Sequence, residues 1–152
     1  MDQSKKEEGS KIILAAWILA LVSTLGSLFF SEVMKFVPCT LCWFERICMY
    51  PLVAIFLVGL MPFDKNVFKY SLPLVIIGWC ISFYHILVQW HVVPESASPC
   101  VQGIPCSTMY IQWLGFITIP FLAFVSFTLL GALLFVFYKR NSIFTGEFIN
   151  EK

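Results

Sequence analysis

The sequence predicts an all-α integral membrane protein, an antiparallel bundle of four transmembrane helices forming one domain over residues 1–152. The chain is 59% hydrophobic and only 12% charged, which is more apolar than a water-soluble domain of 152 residues can bury. Four apolar stretches, near residues 12–30, 43–60, 71–90 and 113–138, each approach the roughly 20 residues that cross a hydrocarbon core. Because the connections between them are short, consecutive helices are expected to be antiparallel neighbours.

The first stretch carries no charged residue and is too long for the apolar core of a signal peptide, so it is predicted to be a helix. Small residues follow one stripe of this helix at helical spacing and indicate a close packing face. They are Ala16, Ala20, Ser23 and Ser27. The charged segment before it, residues 1–10, is expected to be a frayed tail.

The remaining three stretches each contain one proline, at Pro51, Pro73 and Pro120. A proline inside a helix removes a backbone donor, which neighbouring helices of a membrane bundle tolerate. The last residues, 141–152, are expected to be a second short tail.

The distribution of positive charge predicts the orientation. Eight of the ten Lys and Arg residues precede the first helix, connect the second and third, or follow the fourth. The positive-inside bias therefore places both termini in the cytoplasm and the other two connections outside. No cluster of Lys and Arg indicates a nucleic-acid partner, so the expected environment is membrane lipid.

The six cysteines fall into two groups. Cys48 and Cys80 lie inside apolar stretches, where a free cysteine behaves as a small hydrophobic residue. The other four lie in the two outward connections: Cys39, Cys42, Cys100 and Cys106. Outside the cytoplasm such pairs oxidise and persist as disulfides, so a structural role for both pairs is one interpretation.

A redox role is the second interpretation, and it is favoured for Cys39 and Cys42. A C-x-x-C pair closes too small a loop to be an effective cross-link and is common in redox proteins. Cys42 falls at the start of the second helix, where free backbone N–H groups and the helix dipole favour an anion. Arg46 is four residues further on the same helical face. Together these features predict that Cys42 is a stabilised thiolate.

Other interpretations of the same residues remain. Four cysteines also suggest a zinc site, but an extracytoplasmic thiol cluster tends to oxidise and no His or carboxylate lies within the motifs, so no metal is expected. Arg46 alone is typical of a side chain that reaches to the lipid headgroups. His85, in the third helix, is typical of a hydrogen-bonded packing residue. Glu45 is adjacent to Arg46 but points elsewhere on a helix, so no ion pair between them is expected.

The run PCTLCWFER, residues 38–46, opens the second of four helices and closely resembles the DsbB family of disulfide-forming membrane oxidoreductases. The second outward connection, with Cys100 and Cys106, fits the same family. The resemblance covers residues 11–138, and the compact chain is similar to the Bacillus-type members.

The resemblance implies an electron relay in the bacterial cell membrane, with the cysteine loops extracytoplasmic. The electron donor is a thioredoxin-like extracytoplasmic thiol oxidase of DsbA or BdbD type, which oxidises secreted proteins. Cys100 would form a mixed disulfide with this partner, and Cys106 would resolve it. Cys39 would then exchange with the loop pair.

The resemblance also implies a quinone acceptor, menaquinone or ubiquinone. Cys42 would lie against the quinone ring, with Arg46 binding the quinone. His85 corresponds to a family position near the quinone through the string HILVQ, residues 85–89. Proteobacterial members separate the loop cysteines by a much longer segment, whereas five residues separate them here.

Two other functions compete with this one. A quinone reductase similar to vitamin K epoxide reductase has four helices, but its loop pair precedes its C-x-x-C, the reverse of the order here. A non-catalytic tetraspan scaffold with two structural disulfides is the third possibility.

Overall fold

The structure is a computed structural model that describes residues 2–61, 63–64, 66–94, 100, 106–107 and 118–149. Its helices are α1 (Asp2–Leu28), which continues into a π-helical turn (Phe29–Val33), α2 (Thr40–Leu60), α3 (Val67–Gln89) and α4 (Ile119–Ile149). The described residues contain no strand. The predicted all-α class is confirmed.

All four helices are long and apolar enough to cross a membrane, so the chain is a multi-pass membrane protein. The membrane-spanning segments are Lys6–Val33, Thr40–Leu60, Val67–Gln89 and Ile119–Arg140. Many large apolar side chains remain exposed along them, including Ile47, Val58 and Phe135. A water-soluble surface rarely tolerates such exposure, whereas lipid does.

The helices form a closed four-membered bundle in which α2 and α4 each pack against both α1 and α3. Contacts between distant residues show the antiparallel order. Trp79 of α3 donates its indole N–H to Thr128 of α4, and Phe68, near the start of α3, stacks on Tyr138, near the end of the lipid-spanning part of α4. The central core is apolar and almost fully buried. It includes Leu52, Phe56, Phe127 and Leu130.

Two helices extend beyond the apolar stretches. The segment expected to be a frayed tail is helical from Asp2, and Glu8 forms an ion pair with Arg140 that joins α1 to α4. Helix α4 continues to Ile149, through most of the expected second tail. Lys and Glu are good helix formers, so a helix does not end where its apolar residues end.

The prolines are placed differently from one another. Pro51 and Pro73 lie inside α2 and α3, as predicted. Pro120 lies in the first turn of the described part of α4, where its missing N–H leaves no helical hydrogen bond unmade. Residues 113–117, where the fourth helix was predicted to begin, lie outside the described residues.

Candidate redox site

The two cysteine-bearing connections meet at one end of the bundle. Cys100 and Cys106 are joined by a disulfide, and both are buried. Cys39 precedes α2 and is also buried. The sulfurs of Cys39 and Cys106 and a ring nitrogen of His85 all lie within 4.8 Å of one another. Two cysteine pairs separated by nearly 60 residues therefore share one site.

The start of α2 is arranged around Cys39 rather than Cys42. Cys39 has extended backbone and caps the helix, since its Sγ accepts a hydrogen bond from the backbone N–H of Cys42 at 3.4 Å. The two sulfurs lie 2.8 Å apart. The hydrogen bond from the Cys42 side chain, followed by contacts with His85, lowers the pKa of Cys39 well below that of an ordinary thiol, although burial opposes the shift.

This geometry corrects the expectation that Cys42 is the stabilised thiolate. The helix N-terminus does favour an anion, but the sulfur that its N–H group reaches belongs to the capping residue, Cys39. Cys42, in the first turn, is the donor of that hydrogen bond.

His85 connects Cys39 to a second buried residue. Its Nε2 lies 3.6 Å from Cys39 Sγ, and its Nδ1 lies 2.9 Å from Glu45 Oε1. His85 is 1% exposed and Glu45 is 7% exposed. His85 therefore has a defined neighbour in the redox site, Cys39, in addition to the hydrogen-bonded packing role expected of it.

Glu45 is the residue that sequence reasoning missed. Its partner is His85, 40 positions away along the chain, and not the adjacent Arg46, as expected from their directions on a helix. The signal that would have found it is its position, because an ionisable residue inside an apolar helix of a membrane protein is a functional candidate by default.

An apolar cavity of about 340 Å³ lies on another side of the site, between α1, α2 and α4. Cys42 and Arg46 both line it, which agrees with their predicted common face. Six further lining residues are Leu19, Gly26, Phe30, Met49, Leu122 and Phe127.

Arg46 is held in place by α1. Its Nε donates to Ser27 Oγ at 2.9 Å, and its Nη2 donates to the Ser27 carbonyl oxygen at 3.1 Å. Its guanidinium also lies 5.5 Å from the centre of the Trp43 ring, within the range of a cation–π interaction. Arg46 is therefore a fixed cation in the cavity wall, with its hydrogen bonds directed to Ser27 rather than to Cys42.

The group formed by Cys39, His85 and Cys106 has the dimensions of a site for a soft metal ion. The sulfur of Cys106 is already bonded to Cys100, however, and a disulfide sulfur is not a thiolate ligand. In this oxidation state the group is better described as a point where disulfide exchange can occur. Cys48 and Cys80 are free thiols outside this group, as expected.

Comparison with known proteins identifies the family. The family model described as Disulfide bond formation protein DsbB matches residues 9–137. The chain belongs to the DsbB family. The resemblance found in the PCTLCWFER run is confirmed, and with it an oxidoreductase function in disulfide bond formation that acts on a thiol–disulfide partner.

Three relatives show how far the similarity of this DsbB-family protein extends. Disulfide bond formation protein C of Bacillus subtilis is 52% identical over 118 residues, covering 78% of this chain and 86% of that protein. Probable disulfide formation protein C of Bacillus cereus is 42% identical over 141 residues, covering 93% and 100%. The protein of the same name from Halalkalibacterium halodurans is 46% identical over 127 residues, covering 84% and 91%. No solved structure matches the chain.

Proposed function

We propose that this DsbB-family protein reoxidises a thioredoxin-like thiol oxidase of DsbA or BdbD type outside the bacterial cell membrane and passes the electrons to a membrane quinone. One observation carries the proposal: the four cysteines of the two connections are arranged in the order in which a relay uses them. Cys106 is bonded to Cys100 and close to Cys39, Cys39 is in contact with Cys42, and Cys42 lines the cavity.

The relay consists of successive thiol–disulfide exchanges. A partner thiolate attacks the Cys100–Cys106 disulfide at Cys100, which forms a mixed disulfide and releases Cys106. Cys106 then attacks Cys39 of an oxidised Cys39–Cys42 pair, and Cys42 leaves as a thiolate. A second partner thiolate resolves the mixed disulfide, leaves the partner oxidised and releases Cys100 as a thiolate. Cys100 then attacks Cys106 of the Cys39–Cys106 bond, which restores the loop disulfide and leaves Cys39 and Cys42 reduced, with two electrons for the quinone. Each attack needs a thiolate near an accessible sulfur, and the separation of at most 4.8 Å between Cys39 and Cys106 supports the inner exchange.

The cavity supports a quinone as the acceptor. Its volume of about 340 Å³ lies within the range of small-molecule sites, and its wall is largely apolar, with a few polar groups. Arg46 supplies a fixed donor for a carbonyl oxygen, and the buried hydroxyl of Tyr50, in the same wall, has no hydrogen-bond partner among the described residues. A bound quinone accepts two electrons and two protons. The role of Cys42 is to present its sulfur to this cavity.

The direction of electron flow also favours a quinone. A DsbA-type partner has a reduction potential of about −120 mV, so the acceptor must be more oxidising or be drained by respiration. Glutathione, which is far more reducing, does not meet this condition.

The proposal includes an orientation in which the site faces outward. In the sequence, eight of the ten Lys and Arg residues fall before residue 12, between residues 61 and 70, or after residue 138, which supports cytoplasmic termini. An alkaline phosphatase fused after Lys152 should then be inactive, whereas a fusion in the connection that follows Val93 should be active.

The central experiment uses the purified chain in lipid nanodiscs, with a reduced thioredoxin-like oxidase and either menaquinone or ubiquinone analogues. Loss of partner thiols and reduction of the quinone should proceed together with one quinone reduced per disulfide formed. Cys39→Ala and Cys100→Ala should stop both, whereas Cys48→Ala and Cys80→Ala, at the two cysteines outside the site, should stop neither. Partner oxidation that continues in Cys39→Ala would contradict the relay.

A further inference from the structure

Electron transfer through the sulfurs does not explain why a carboxyl group and an imidazole are buried beside them. Glu45 and His85 lie almost fully inside the bundle, on different helices, and His85 touches Glu45 with one nitrogen and Cys39 with the other. Burying two ionisable groups costs free energy, so a pair retained at a reaction centre calls for a chemical role.

We propose that His85 is the acid–base group of the exchange between Cys106 and Cys39, and that Glu45 is the positioning residue that orients it and stabilises its charged form. The proposal rests on the relay described above, which it supplements with a path for the proton. Among the described residues, His85 does not line the cavity, whereas Glu45 does.

The hydrogen bond to Glu45 determines which nitrogen of His85 is available. An ionised carboxylate only accepts hydrogen bonds, so Nδ1 of a neutral His85 carries the proton and donates it to Glu45 Oε1. Nε2 is then an acceptor, and it is the nitrogen directed at the sulfur of Cys39. The pair therefore directs a base at the group of sulfurs.

The step balances as follows. The partner thiol loses its proton when it ionises, and its thiolate opens the Cys100–Cys106 disulfide, from which Cys106 leaves with the electron pair as a thiolate. Nε2 of His85 takes up the proton, so the Cys106 sulfur stays ionised. The Cys106 thiolate attacks Cys39, the Cys39–Cys106 bond forms, the Cys39–Cys42 bond breaks, and Cys42 leaves with the electron pair as a thiolate. The imidazolium of His85 then lies between sulfur and the Glu45 carboxylate, which offsets its charge.

The surroundings of His85 contain few other groups that titrate. Among the described residues, Cys39 and Glu45 are its recorded ionisable partners, and Cys42 lies behind Cys39. The permanent cation Arg46 is adjacent to Glu45 on α2 and directs its hydrogen bonds to Ser27. Cys106 titrates only when its disulfide is open. On the neighbouring helix α4, the charged residues Lys139 and Arg140 lie at the opposite end of the bundle. A pH profile of Cys39 therefore reports mainly on His85 and Glu45.

The first measurement is the rate at which iodoacetamide alkylates Cys39 in the reduced, full-length protein between pH 5 and 9, resolved by mass spectrometry. It needs neither quinone nor partner. The wild-type rate should change little down to pH 6, because His85 holds the thiolate. In His85→Gln the rate at pH 6 should fall about tenfold or more and recover as the pH rises, because the stabilising cation is lost.

The second measurement is the pH profile of Cys39–Cys106 disulfide formation after rapid mixing of oxidised protein with a small dithiol. In His85→Gln this exchange should be about 100-fold slower at pH 6, a typical contribution of a positioned base, and the deficit should shrink towards pH 9. Glu45→Gln keeps an acceptor for Nδ1–H but removes the negative charge. Disulfide formation at pH 6 should therefore be slowed less than in His85→Gln, and its rate should again recover as the pH rises.

The matched control is His91→Gln, which changes the only other histidine of the chain, an exposed residue. It should leave both profiles unchanged. Thermal unfolding establishes that each variant is folded. If His85→Gln does not fold, the Glu45→Gln profile decides, because a merely structural ion pair changes stability without shifting the pH dependence of Cys39.

A folded His85→Gln protein that has the wild-type pH profiles would overturn the proposal. If that variant does not fold, a Glu45→Gln protein that has the wild-type pH profiles would overturn it. Failure of the relay gives a different result. If the profiles shift as expected but no quinone is reduced, the proton path stands and the proposed acceptor is wrong.

Discussion

Glycine has opposite roles at the two ends of the bundle: the end that contains Cys39 and Cys106, called here the cysteine end, and the end opposite to it. At the opposite end, a Cβ added to Gly59 of α2 would lie 2.5 Å from Cγ2 of Val67, so the two helices touch with no space between them. Near the cysteine end, a Cβ added to Gly26 of α1 would meet no atom within 4 Å. One glycine permits close packing and the other leaves a cavity open, which indicates that the space at the cysteine end is a feature of the site and not of loose packing throughout.

The largest expected effect is on the relay itself. Cys39→Ala should reduce coupled partner oxidation and quinone reduction to background, because Cys39 is the sulfur that lies close to both Cys106 and Cys42. Cys48→Ala, a buried change of the same kind in the packed core, should retain most of the activity. Stopped-flow quinone absorbance and a thiol count of the partner measure both. Equal losses in the two variants would mean that Cys39 matters for packing rather than for exchange.

The cavity provides the next test. Gly26→Leu should lower quinone reduction about tenfold or more, because the added side chain has room to enter the cavity proposed for the quinone. Exchange between the two cysteine pairs should continue, so partner thiols should be consumed once and then stop. Ala15→Leu, on the exposed surface of the same helix, is the control and should turn over normally. Normal quinone reduction by Gly26→Leu would place the acceptor outside this cavity.

The contrast between the glycines predicts opposite effects of one substitution on stability. Gly59→Ala should lower the free energy of unfolding by about 1–3 kcal/mol, because Val67 is buried and its branched side chain cannot move away from the added methyl group. Gly26→Ala should be neutral or stabilising by up to about 1 kcal/mol through helix propensity. Thermal unfolding in nanodiscs measures the difference. A destabilised Gly26→Ala protein would show that the cysteine end is as tightly packed as the other.

The sequence predicted the parts of this comparison that composition and short spacing determine. Apolar length predicted four helices, and the position of Cys39 and Cys42 before an apolar stretch predicted that both lie where α2 begins. The pairing of Glu45 with His85 depends on the register of α2 against α3, which neither helix encodes alone. The same is true of the cavity, which depends on how three helices diverge. The residue at which α2 begins determines whether the sulfur of Cys39 or that of Cys42 accepts a hydrogen bond from the backbone at the helix start. A shift of that residue by a few positions would exchange the two roles.

The smallest effect is expected at the ion pair between Glu8 and Arg140, at the end of the bundle away from the cysteines. Both side chains are more than half exposed, so water screens their attraction, and Glu8→Gln should change the free energy of unfolding by less than about 1 kcal/mol. The change should also disappear at high salt, as expected of a surface pair. The effect of the same acid-to-amide substitution in the buried pair, Glu45→Gln, on the free energy of unfolding should persist at high salt, because ions do not reach that pair. Unfolding of both variants at low and high sodium chloride measures the contrast. A salt-independent loss in Glu8→Gln would show that the N-terminal end of α1 is held by more than a surface charge pair.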